Sequence, residues 1–488
     1  MGRPKRMAAA IGACGLAAVL ASTAGPGTRW PGTGAAHPAA SGPANSALAE
    51  VAVQPGVRHV GRTQAIPPTT ADCEKAYKVA CFEPGQIQQA YNLRSVYASG
   101  VTGTGATIVI VDPFGSPTIA HDLTVFDQAS HLPAPPSLRI IAPAGKVPAF
   151  NPGNTDMVGW AGETTLDVEY AHTIAPGARI LLVETPVPET EGVHGFPQIV
   201  AAERYVVTHH LGDVISQSFS ATEQTFPSRA VVVGLRGAYT LAAKDGVTVL
   251  AASGDTGATD YESNQHTYYP HPVTSWPDSD PLVTGVGGTQ LHLSARGTFT
   301  APTAWNDSYN SAATEFSTGS GGLAPPTPLA GGGGESVLFG RPAYQNTVAG
   351  VVGDQRGVPD VSMSAACDGA VVTYSSYPGA PAGWSPSCGT SEATPLFAGI
   401  IALTDQVAGH SLGAINPALY QLSAQHAQGI VDITQGNNTV PYVTNGRTRT
   451  VRGFSAQRGY DLVSGVGTVN AAAFVPELAY LIDHSNAF

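Results

Sequence analysis

Charge is what this 488-residue chain has least of. Asp, Glu, Lys and Arg make up 12% of it, about half the share in an average globular protein. The 23 cations and 35 anions leave a net charge of −12. No basic patch or basic amphipathic segment stands out, which argues against a nucleic-acid partner. A surface with few carboxylates changes its charge little in acid and suits an acidic habitat. Long apolar runs are missing beyond the N-terminus, and a bilayer span needs about 20 such residues. No internal repeat is present. The glycine run "GGGGES" (331–336) lacks the Lys-Ser/Thr of a phosphate loop and reads as an ordinary loop.

Cysteine is also scarce, with five in all. Cys14 sits in the apolar stretch "MAAAIGACGLAAVLA", behind the cations Arg3, Lys5 and Arg6 and ahead of the small residues "STAG". That is the pattern of a secretory signal peptide over 1–24, cleaved after about Ala24. A membrane anchor is the competing reading, and the short apolar run disfavours it. The expected location is therefore extracellular, with no membrane association once the signal is gone. Cys73, Cys81, Cys367 and Cys388 remain, an even number that allows three pairings. The preferred pairing joins Cys367 to Cys388, which would brace the segment leading to Ser391. Unpaired buried thiols are the alternative.

Residues 25–72 are rich in Ala, Gly, Pro, Ser and Thr, without periodicity, and read as a low-complexity or processed segment. Compact structure is expected from Cys73. With 43% hydrophobic residues, a large core is possible. Apolar runs at 106–114, 178–185, 213–219 and 247–253 look like buried strands, separated by helical patterns such as 198–210 and 229–245. Continuous apolar strands alternating with helices predict an α/β fold, a parallel central sheet with helices on both faces. Ligands in such sheets gather at the carboxyl ends of strands, and "SGDTG" (253–257) follows one of them.

The stretch "CGTSEATPLFAGIIAL" (388–403) sets Ser391 at the mouth of an apolar helix. A serine hydroxyl is a weak nucleophile until a base takes its proton. A subtilisin-type base would be a histidine followed by Gly-Thr, and none of the 14 histidines has that context. In its place stands "GWAGETTLDVEYAHTIAPGARILLVE", where Glu163 and Asp167 share one helix face. Two carboxyls so placed repel when both are charged, and sharing a proton relieves this. Such a pair can take a proton from a hydroxyl in acid, where imidazole would already be charged. Taken alone, an exposed helix with two solvated carboxylates is the commoner case.

Taken in order, "GETTLDVE", "SGDTG", "PLVTGVGGTQL", "GVPDVS" and "GTSEATPLFAGIIAL" resemble successive blocks of the sedolisins, serine-carboxyl peptidases with the subtilisin fold. The resemblance runs from about Cys81 to the C-terminus. It implies one peptidase domain over 73–488, with Ser391 as nucleophile, Glu163 as base and Asp167 orienting Glu163. Asp255 would help form the oxyanion hole. As a protonated acid it could donate there, whereas an ionised carboxylate would repel the oxyanion. The Ser391 N–H, at a helix N-terminus, is a further donor.

The resemblance also implies one structural calcium ion, bound by the carboxylates of Asp432 and Asp461 and the main-chain carbonyls of Ile433, Gln457 and Gly459. Calcium takes several oxygen ligands of this kind. Gln457 stands where the family usually has glycine, and "SFSA" (218–221) where Ser-Trp-Gly is common. Only a short, unstructured segment precedes the expected domain, in place of a long folded pro-domain. The expected activity is a secreted acid endopeptidase acting on proteins or peptides, as a monomer. The rivals are a tripeptidyl peptidase and an inactive peptide-binding homologue.

Overall fold

The computed structural model describes residues 63–294, 296–318 and 326–484, all within one compact unit, Ala49–Phe488. The expected signal peptide, Cys14 and the segment 25–62 lie outside the described residues. Packed structure starts upstream of Cys73. Gln64 exchanges main-chain hydrogen bonds with Trp384, and helix α1 (Thr70–Tyr77) is capped by the Thr69 side chain.

An eight-stranded sheet forms the centre. Its strands are β1 (Thr107–Pro113), β2 (Leu138–Ile141), β3 (Arg179–Thr185), β4 (Val214–Gln217), β5 (Thr248–Ala252), β6 (Thr284–Gln290), β7 (Thr303–Ala304) and β8 (Val361–Ser364). Their order is β7-β6-β5-β4-β1-β3-β2, with β8 also paired to β6. Every pairing is parallel except β7 with β6. The chain leaves β1 to one side for β3 and β2, then returns to the other side for β4. A crevice opens at such a switch, beyond the carboxyl ends of the strands.

Side chains on a strand alternate between faces, and β1 shows why a continuous apolar run suits this sheet. Ile108 and Ile110 enter one core with Leu166, Ile174 and Phe397. Val109 and Val111 enter another, with Phe196, Ile199 and Val206 of helix α4, defined below, and Tyr239. The helices that matter here are α2 (Ile119–Ser130), α3 (Thr155–Ile174), α4 (Phe196–Thr208), α5 (Gly237–Asp245), α6 (Thr390–Ala408) and α7 (Ala471–His484). Helix α3 is buried on all sides from Trp160 to Ile174, the mark of a central helix. It packs closely on α6. Gly399 makes this possible, because a Cβ there would lie 2.5 Å from Ile174 Cβ.

One expected helix differs. The stretch 229–245 is two helices, Arg229–Leu235 and α5, interrupted at Arg236. The Arg236 guanidinium pairs with Asp280 at 2.6 and 2.8 Å and lies 5.1 Å over the Phe339 ring. Both disulfides form, Cys73–Cys81 and Cys367–Cys388. Among the described residues no helix is long and apolar enough to cross a membrane.

Candidate active site

The α3 segment carrying Glu163 and Asp167 begins at Asn154, whose side chain accepts from the N–H groups of Asp156 and Met157. Both carboxyls are fully buried. The picture of a solvated acidic helix therefore does not apply. A buried carboxyl is stable only if it is neutral, paired or hydrogen-bonded. Asp167 Oδ1 accepts from the Ser218 hydroxyl at 2.9 Å, and Oδ2 has no partner. Burial first, then the charges of Asp112 and Glu163, push Asp167 well above the ordinary carboxyl range, against the lowering effect of Ser218. Asp112, at the end of β1, is itself raised to about 7, chiefly by burial.

Ser218 follows β4 directly and ties the acid pair to the nucleophile turn. Its hydroxyl lies 3.5 Å from the Ser391 carbonyl as well as 2.9 Å from Asp167. The sequence explains why that carbonyl is available. In a helix it would accept from the N–H four residues on, but that residue is Pro395, which has none. Ser391 is the second residue of α6 and is 2% exposed. Gly389 precedes the helix at φ 128°, where only glycine fits easily. The Cys367–Cys388 bridge fastens the same approach, and Cys367 N–H donates to the buried Asp307.

Asp255 arrives from the other direction, in the loop after β5. Its Oδ1 accepts from both the N–H and the hydroxyl of Thr390, at 2.7 and 2.8 Å. Gly254 N–H in turn donates to Thr390 Oγ1 at 3.1 Å. With Oδ1 engaged as acceptor, a proton on this carboxyl belongs on Oδ2. The loop is held from outside by the glycine run read as featureless. Gly332 N–H donates to Gly254 O at 2.8 Å, and Ala330 N–H to Asp255 O at 3.0 Å. A Cβ on Gly332 would fall 1.9 Å from Ser253 O, so only glycine allows this approach.

The four expected site residues thus stand on three elements that meet at the carboxyl ends of β1, β4 and β5. Asp167 reaches the Ser391 turn through Ser218, and Asp255 reaches it through Thr390. Glu163 lies one turn from Asp167 on α3. Sequence reading missed Ser218 and Thr390 as connecting groups. It also missed Glu189, a fully buried carboxyl after β3 that lies within the electrostatic reach of Glu163. Phe219, the aromatic of "SFSA", packs into the core 6.4 Å from Phe196.

Of the five expected calcium ligands, the Asp432 and Asp461 carboxylates both meet the 457–461 turn, as hydrogen-bond acceptors. Asp432 follows the short strand Ile430–Val431, which pairs with Thr468–Val469. Gly459 N–H donates to both oxygens of Asp432, and Gln457 N–H to Asp461 Oδ2. Gln457 is not among the residues with positive φ, so a side chain is accommodated there. Among the described residues no group of three or more His, Cys, Asp or Glu side chains is arranged for a metal. Carboxylates and carbonyls are the oxygen ligands a hard cation takes, and here the two carboxylates are engaged by main-chain N–H groups.

A serine at a helix mouth, beside the carboxyl ends of a parallel sheet and linked through Ser218 to the buried Asp167, fits a subtilisin-like scaffold. The model described as "Subtilase family" matches residues 153–437, and the chain belongs to that family, among its sedolisins. Kumamolisin of Bacillus sp. (strain MN-32) is 31% identical over 404 residues, 79% of this chain and 62% of kumamolisin. Sedolisin of Pseudomonas sp. (strain 101) is 27% identical, over 77% of this chain and 58% of its own length. Tripeptidyl-peptidase 1 of Mus musculus is 30% identical over 66% of this chain and 52% of its own. The chain therefore spans less than two thirds of these curated relatives. The solved "Pseudomonas sedolisin (serine-carboxyl proteinase) complexed with two molecules of pseudo-iodotyrostatin" superposes with a TM-score of 0.64 at 26% identity, covering 84% of this chain and all of that one.

Proposed function

We propose that this chain is an acid-acting serine-carboxyl endopeptidase. The observation that carries the reading is the Ser218 hydroxyl placed between Asp167 and the Ser391 main chain. It sets a buried carboxyl pair against a serine whose turn is gripped by Asp255. Ser391 Oγ attacks the substrate carbonyl and its proton passes to Glu163. The oxyanion develops beside the Ser391 N–H and the protonated Asp255. Glu163 returns the proton to the leaving amine, which departs and leaves an acyl-enzyme on Ser391. Water then attacks that ester, giving its proton to Glu163, and Ser391 leaves with the proton restored. Asp167 holds Glu163 and shares its proton.

Substrates are proteins or peptides. Secretion follows from the N-terminal pattern and agrees with two disulfides. The turn at 457–461, with Asp432, would hold one calcium ion whose role is to tie the 432 and 461 loops together. The named tripeptidyl peptidases among the relatives make removal of N-terminal tripeptides the second reading. A peptide library incubated at about pH 4, within the carboxyl range, separates them. Internal cuts support the endopeptidase and uniform tripeptide release the second reading, whereas an uncut library overturns both.

A further inference from the structure

Glu392 follows the nucleophile directly and has no part in the chemistry above. It is the third residue of α6 and is fully buried. Among the described residues no cation pairs with its carboxyl, and the Ser364 hydroxyl is the polar side chain that reaches it. A charge at such a place is strongly disfavoured, while the neutral acid is not. The groups that face it come from four directions. Tyr91 lies before β1, Tyr170 is on α3, Ser364 ends β8, and Asp255 follows β5. None is a cation. Tyr170 already donates to Val372 O at 2.8 Å, and Tyr91 accepts from Ser364 N–H at 2.7 Å.

The positions on each side of Ser391 in sequence are thus tied to carboxyls. Thr390 gives both its donors to Asp255, and Glu392 is a carboxyl itself. We propose that Glu392 is a positioning residue: as the neutral acid it seats the first turn of α6 in the core with Ser391 aligned, and its ionisation forms part of the alkaline limit of activity. This rests on the peptidase reading above. Burial raises Glu392 well above the ordinary range, the Ser364 hydroxyl acts the other way, and the charge of Asp255 raises it further. The charge left on Glu392 opposes the oxyanion that Ser391 must generate and strains the buried turn that presents it.

The test is Glu392→Gln, which keeps the shape and cannot ionise. Turnover of an internally quenched peptide is followed against pH, well below the melting temperature. In acid, kcat stays within about threefold of the parent, and the alkaline limb moves up by roughly half a pH unit or more and becomes shallower. KM stays unchanged. Glu392→Ala leaves a void and melts earlier, yet its alkaline limb follows that of Glu392→Gln. A residue with a merely structural role would change melting alone, so limbs that coincide with the parent in both variants overturn the proposal. If the parent chain cuts no peptide at all, the peptidase reading fails separately. The role of Glu392 is then read from melting against pH. The fall in melting temperature toward neutrality should be smaller in Glu392→Gln than in the parent, and equal falls overturn it.

Discussion

Ser391, Glu163 and Asp255 each make a separable demand on one side chain. Ser391 is small and nearly buried, so Ser391→Ala should leave the fold and melting temperature in place. Turnover should drop by about 10⁴-fold or more, as when a serine nucleophile is removed elsewhere. A variant that keeps the parent rate and products would move the nucleophile to another residue. Glu163→Gln should be damaged to a similar degree, because an amide cannot accept the hydroxyl proton. Asp255→Asn asks a different question. The asparagine amide donates at any pH, whereas the acid donates only when protonated. The rate should fall by roughly 10²–10³, the usual effect of disturbing one oxyanion donor. The surviving activity should lose much of its alkaline limit. An unchanged alkaline limb in this variant would assign that limb to other groups. Spacing alone put Glu163 and Asp167 on one helix face, and only the resemblance to the sedolisins singled them out from an ordinary solvated pair. Ser218 was not legible at this scale, since its meaning depends on Asp167 and on the Ser391 carbonyl, both distant in sequence.

Among the elements, strands were easier to read than helices. The four apolar runs became β1, β3, β4 and β5 with ends shifted by no more than a residue or two, because a strand covered on both faces must be apolar throughout. The helix over 229–245 is interrupted at Arg236, whose guanidinium pairs with Asp280. Nothing near residue 236 announces a partner 44 positions away. The 457–461 turn carries its own prediction. If it holds calcium with Asp432, the ion binds only the native fold and raises stability with its concentration. Chelation should lower the melting temperature, and Asp461→Asn should reproduce the loss in the presence of calcium. Melting that is unchanged after verified metal removal would leave the turn without a structural ion.

Across the described residues, burial pushes many carboxyls upward. Asp167, Glu189, Glu203, Asp278 and Glu392 are raised well above the ordinary range, Asp112 to about 7 and Asp307 to about 6. The fully buried Arg356 is committed to Asp360 at 2.7 and 2.5 Å. Each raised group binds its proton more tightly folded than unfolded. Its contribution is therefore complete below the unfolded value of about 4 and is lost as pH rises through the folded value. His172 acts the other way. Burial lowers it to about 4, so its contribution is present above about 6.5 and lost as pH falls through the folded value. The carboxyls outnumber it. Melting temperature should be higher near pH 4 than at pH 7.5, with most of the decline complete by neutrality for the groups near 6 and 7. A chain equally stable at both pH values would show that these carboxyls ionise without penalty.

Local pattern by itself determined the α/β class, the strand positions, the serine at a helix mouth and the acid pair one turn apart. Those features depend on near neighbours: alternation along a strand, spacing around a helix, a glycine before it and a proline within it. Only the tertiary structure decided that the acid pair is buried, since burial belongs to the α3–α6 packing that Gly399 permits. It also decided that a plain glycine run braces the Asp255 loop and that Ser218 and Thr390 connect the carboxyls to Ser391. Each of those contacts joins segments far apart in the chain. Their free energy comes from desolvation and geometry that exist only once the sheet has brought them together.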